Sequence, residues 1–210
     1  AGRFTNAEDI YQQILKTEPD HLTAIHMLGV LAYQTGKNEI ALELISRAIE
    51  IQPDVAAAHN NLGLVLQQLG RTQNAKASYQ KAIDLNEHYA EAHCNMGNIL
   101  RELGALDDAI ASYQTALSLN PEYILAYNNL ALTFQELGRL DEALASLEKA
   151  ASLQPELADT YEHARHLSEL GNVEKAVDSY CGVLAIQQAM DVAAHHHRAG
   201  RLTEAETIYQ

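Results

Sequence analysis

Ten histidines and two cysteines are the side chains of this 210-residue chain with the means to ligate a metal or attack a substrate. The densest group is His195-His196-His197. Successive residues on a helix point about 100° apart, so three in a row cannot all turn to one ion. His163 and His166 form an i, i+3 pair with Glu162 and Glu169 close by, a spacing that would hold a metal only weakly. Cys94 follows His93 in the chain, which makes it a neighbour and not half of a dyad. HExxH, GxSxG, a phosphate-binding glycine loop and a recognisable carboxylate pair are all missing. The expectation is therefore structural histidines, with no catalytic residues, no metal, no cofactor and no enzyme activity of the chain's own. Cys94 and Cys181 are far apart in sequence and suggest neither a disulfide framework nor a CxxC metal site, which fits a reducing, cytoplasmic compartment.

A different chemistry comes from amides. Asn61, Asn95 and Asn129 stand 34 residues apart, and an amide side chain both donates and accepts hydrogen bonds. The same beat runs through the chain. Gly2, Gly36, Gly70, Gly104 and Gly138 keep it, and Ala7, Ala41, Ala75, Ala109 and Ala143 follow five residues after each. Ala48, Ala82, Ala116 and Ala150 hold another phase, as do Tyr11, Tyr79 and Tyr113, with Ile45 and Leu147 substituting. Pro19, Pro53, Pro121 and Pro155 close the periods, with Glu87 substituting in the third place. Gly29, Gly63 and Gly97 mark one more phase, continued by Ala131.

Each phase has a physical meaning. A glycine after a run such as Asn61-Leu62-Gly63-Leu64-Val65-Leu66-Gln67-Gln68-Leu69 is a left-handed helix cap. Proline follows where a second helix must stop. Between the two signals lie helices of about 14 residues each. Small residues let the paired backbones approach, and the Tyr and Leu positions are expected to fill the gaps between neighbouring hairpins.

These residues resemble the tetratricopeptide repeat. The match is carried by Asn61-Leu62-Gly63, Gly70, Ala75, Tyr79 and Ala82, and again by Asn129-Leu130-Ala131, Gly138, Ala143, Ala150 and Pro155. The large aromatic usual early in the first helix is replaced by Ile25, His59, His93 and Tyr127. The resemblance implies an all-α solenoid, a right-handed superhelix of antiparallel helix pairs, in one array over 1–210. Residues 1–21 would be a partial repeat, a turn and then a helix from about Thr5 to Thr17. Clear repeats would occupy 22–55, 56–89, 90–123 and 124–156, with a degenerate one at 157–190 and a shortened partial one at 191–210. Gly171 follows Gly138 by 33 residues and Gly200 follows Gly171 by 29, so the beat is lost there. Residues 1–12 match 199–210 at nine of twelve positions, which reads as shared ancestry or as a second block. Both ends cut through a repeat, so a piece of a longer array is expected.

In this family the first helices line the concave side. By phase, the groove-facing set here is Thr23, His26, Val30, Tyr33 and Gln34, then Asn60, Leu64, Gln67 and Gln68. It continues with Glu91, Cys94, Asn98, Arg101 and Glu102, then Asn128, Leu132, Gln135 and Glu136, with Tyr161 and Arg165 beyond. Asn61, Asn95 and Asn129 form the separate column, interrupted by Met27 and Glu162 at either end. A similar asparagine ladder occurs in the N-terminal arm of O-linked N-acetylglucosamine transferases. The resemblance implies a protein-interaction scaffold that binds an extended peptide or partner segment. The alternatives are the substrate-recognition arm of a larger O-linked glycosyltransferase and a self-associating assembly module. The phases at which chaperone-binding members clamp a carboxylate hold Asn60, Cys94 and Asn128, so a carboxylate clamp is not expected.

Composition narrows the partner. The net charge is −14, from 28 acidic and 14 basic residues, and no Lys/Arg cluster exists, so nucleic acid is disfavoured. No apolar run approaches the roughly 18 residues that would insert in a membrane.

Overall fold

The computed structural model describes residues 2–154 and 158–182. All its regular structure is helical among those residues. The helices are α1 (Gly2–Thr17), α2 (Leu22–Gln34), α3 (Asn38–Ile51), α4 (Ala56–Gln68), α5 (Thr72–Leu85), α6 (Ala90–Glu102), α7 (Leu106–Leu119), α8 (Ile124–Glu136), α9 (Leu140–Leu153) and α10 (Ala158–Glu169). Residues 173–182 are helical as well. The cluster His195-His196-His197 and the shortened repeat lie outside the described residues.

One device ends every first helix. Gly36, Gly70, Gly104, Gly138 and Gly171 have φ between 68° and 80°, in the left-handed region. The Gly70 amide donates to the Gln67 carbonyl at 2.9 Å and the Arg71 amide to the Leu66 carbonyl at 2.8 Å. This pair of bonds, repeated after α2, α6, α8 and α10, satisfies carbonyls that the helix end leaves open. The chain reverses within three residues and the next helix packs back on the first. Gly2 differs: it lies inside α1, which begins three residues earlier than the spacing predicts, and no described helix precedes it for a cap to close. Pro19, Pro53 and Pro121 each stand two residues past a second helix, and Glu87 does the same after α5. Pro155 is outside the described residues.

The other recurrent glycine works by absence of bulk. A Cβ on Gly63 would lie 2.4 Å from the Tyr79 ring, and one on Gly97 would lie 2.5 Å from the Tyr113 ring. A Cβ on Gly29 would meet Ile45 Cγ1 at 2.6 Å. The tyrosines thus close their own hairpins, α4 on α5 and α6 on α7, and Tyr113 also reaches Thr133 on α8 of the next hairpin, the gap that the sequence suggested. Each ring is fully buried, which places its large apolar area in the core.

The described residues form two compact units, divided after Glu87. In the first, Ala32, Ala41, Ile45 and Val65 make a buried cluster, with Tyr33, Leu42, Ile49, Leu62 and Leu69 against it. In the second, Ile99, Tyr113, Leu147 and Val177 are fully buried, with Leu130 and Phe134 nearly so.

Candidate functional site

In the first unit the site residues sit on α2 and α4, neither of which contains an Asp, Glu, Lys or Arg. Thr23, Gln34 and Gln68 are exposed, and His26, Val30, Tyr33, Asn61, Leu64 and Gln67 are half-buried. Asn60 is fully buried, so its amide belongs to the packed layer. Asn61 Nδ2 and His26 Nε2 are 3.0 Å apart, a hydrogen bond between neighbouring first helices. Burial lowers the pKa of His26, because the interior penalises the charged ring. The Tyr79 hydroxyl donates to Gln67 Oε1 at 3.1 Å, and Gln68 hydrogen-bonds Tyr33.

The second unit is charged. α6 carries Glu91, Arg101 and Glu102, and α8 carries Glu136. Asn98 is half-buried and its Oδ1 accepts from the Tyr113 hydroxyl and from Asn129 Nδ2, each at 2.8 Å. One acceptor therefore ties α6 to α7 and to α8. Arg101 Nη1 meets Glu136 Oε1 at 3.3 Å, and Gln135 Nε2 donates to Asp178 Oδ1 at 2.7 Å. Leu132 and Gln135 are half-buried. Asn95, Asn128 and Asn129 are buried. Asn128 Oδ1 has no hydrogen-bond donor among the described residues.

Burial thus divides the expected set. Leu64, Gln67, Asn98, Arg101, Leu132 and Gln135 reach the surface, as does part of Asn61. The asparagine column is not an open ladder: Asn61 is held by His26, and Asn129 is turned to Asn98. Asn60, Cys94 and Asn128, one phase away, are packed inside. One surface residue was overlooked. Leu125 is 42% exposed and lies 34 residues beyond Glu91, in a column that the spacing had already marked.

The titratable groups offer no reaction centre among the described residues. Burial pushes the Cys94 and Cys181 thiols up to about 11, so neither is a thiolate near neutrality. No group of three or more His, Cys, Asp or Glu side chains is placed to hold a metal among the described residues. Glu162 and Glu169, beside His163 and His166, each bind Arg165 at 3.0 Å. No described helix is long and apolar enough to cross a membrane.

Three family models of the tetratricopeptide repeat match the chain, one over residues 29–70 and 97–138, a second over 56–89 and 124–157, and a third over 78–111. Among solved structures, a crystal structure of MamA is 28% identical, with a TM-score of 0.66, covering 75% of this chain and 92% of that one. YrrB, described as a TPR protein with an unusual peptide-binding site, is 21% identical, with a TM-score of 0.62 over 92% of this chain and 97% of that one. The first TPR of Spaghetti (RPAP3), bound to an HSP90 peptide, is 22% identical, with a TM-score of 0.54 over 56% of this chain and 93% of that one. No curated protein sequence matches significantly.

Proposed function

We propose that this chain, which belongs to the tetratricopeptide repeat family, is a protein-interaction scaffold that holds an extended partner segment against its first helices. The observation that carries the reading is a set of partly exposed amide and leucine side chains that recurs within each of the two units. On α4 it is Asn61, Leu64 and Gln67, on α6 Asn98 with Arg101, and on α8 Leu132 with Gln135. Amides meet a partner's backbone and leucines its side chains, which is the division of labour that strand-like peptides need. The YrrB and RPAP3 structures lend a precedent of fold alone. A recognition arm of a glycosyltransferase gains no support from the matched structures, MamA among them.

The test is selection of binders from a displayed random dodecapeptide library, followed by amide chemical-shift mapping of the labelled full chain. The expected shifts fall on Leu64, Gln67, Asn98, Leu132 or Gln135. Shifts confined to α3, α5, α7 and α9, or no selectable binder at all, would refute the role.

A further inference from the structure

The face built by α6 and α8 differs from that of α2 and α4 in its charge and in one unsatisfied atom. On α8, Leu125, Asn128, Leu132 and Gln135 follow at helical spacing and share a side of the helix. Asn128 is 8% exposed in the middle of that stripe, and its Oδ1 lacks a donor among the described residues. A buried acceptor without a donor is costly, and a rotation of this side chain, which keeps 8% exposure, would bring the acceptor to an incoming N–H and relieve that cost. The same two helices carry three carboxylates, Glu91, Glu102 and Glu136, and one guanidinium, Arg101, which pairs with Glu136. Residues 88–189 as a whole hold 15 acidic and 5 basic side chains, which makes −10 of the chain's −14.

We infer that the α6–α8 face takes an extended protein segment bearing lysine or arginine, with an N–H of that segment donating to Asn128. This rests on the peptide-binding role proposed above and specifies its partner. Leu125 and Leu132 flank the acceptor and supply apolar contact. The carboxylates favour cationic side chains and repel acidic ones, which sets specificity more than raw affinity.

The dodecapeptide selection on the full chain reads this directly. The expected result is an excess of Lys and Arg among enriched peptides that map to α6 and α8. The best of them should bind the Glu91→Gln/Glu102→Gln/Glu136→Gln variant about tenfold more weakly, and its affinity for the parent should fall with salt. Asp107→Asn/Asp108→Asn/Asp141→Asn removes as much charge from the first turns of α7 and α9 and should leave affinity unchanged. Asn128→Leu should lose about tenfold with unchanged circular dichroism. Equal weakening in both charge variants would reduce the effect to bulk charge and overturn the inference. So would enrichment of neutral or acidic peptides on α6 and α8, although that outcome would keep the scaffold role. Undiminished binding by Asn128→Leu would remove the acceptor. A selection without any binder would overturn role and partner together.

Discussion

The Tyr79 ring occupies the space that a Cβ on Gly63 would need, with ring carbons 2.4 Å to 2.8 Å from that position. Tyr79 is fully buried, so the ring cannot swing away. Gly63→Ala gains about 1 kcal/mol of helix propensity but overpacks at a cost of about 1–3 kcal/mol. A net loss of stability in chemical denaturation is expected. Ala131 and Leu147 hold the equivalent phases in a later hairpin, so Gly63→Ala/Tyr79→Leu should be less destabilised than the two single changes summed.

Gly70 fails for another reason. A Cβ there meets nothing within 4 Å, yet φ is 68°. Gly70→Ala should cost about 1 kcal/mol through backbone conformation alone. Gly70→Asn should cost less, because Asn tolerates the left-handed region. A larger loss for Asn than for Ala in the same denaturation assay would contradict this account.

The Asn98 acceptor makes a graded prediction. Tyr113→Phe removes one of two donors and should cost about 1 kcal/mol. Asn98→Leu removes the acceptor shared by the Tyr113 hydroxyl and Asn129 Nδ2, which keep Thr133 and Cys94 as partners, and should cost roughly 1–3 kcal/mol. In a double-mutant cycle, Tyr113→Phe should cost much less in the Asn98→Leu background.

His26 gives the first unit a pH dependence. Its folded pKa is lowered by burial, so below the ordinary value the unfolded chain binds a proton that the folded chain does not. The contribution to stability is complete above about pH 6.5 and declines as the pH falls below it. Thermal melts from neutral to mildly acidic pH should show a steeper loss for the parent than for His26→Gln. Parallel curves would exclude His26 as the source.

The spacing of residues carried much of this. Gly70 and Gly63 fell in separate phases, and the cap role of the first was readable because a C-terminal glycine has one dominant use. The role of Gly63 was half legible: a close approach was expected, but the ring meets it inside the hairpin. The amide columns show where such reading stops. Asn60 and Asn61 are about 100° apart on α4, and phase places both near the groove. Which of them is covered depends on how closely the adjoining helices approach, a tertiary quantity with no local signature. Asn60 is sealed in while Asn61 keeps part of its surface. Leu125 was available from its 34-residue column and needed only the same rule applied once more.

The absence of formal charge from α2 and α4 has a kinetic side. Oppositely charged surfaces draw partners together before contact, and ions in solution weaken that pull. These two helices exert no such attraction of their own. A segment arriving at them would do so by unaided diffusion, at about 10⁵–10⁶ M⁻¹s⁻¹. Its rate of capture would hold steady across ionic strengths that slow a cationic segment's approach to α6 and α8, and selectivity there would reside in how long the segment stays.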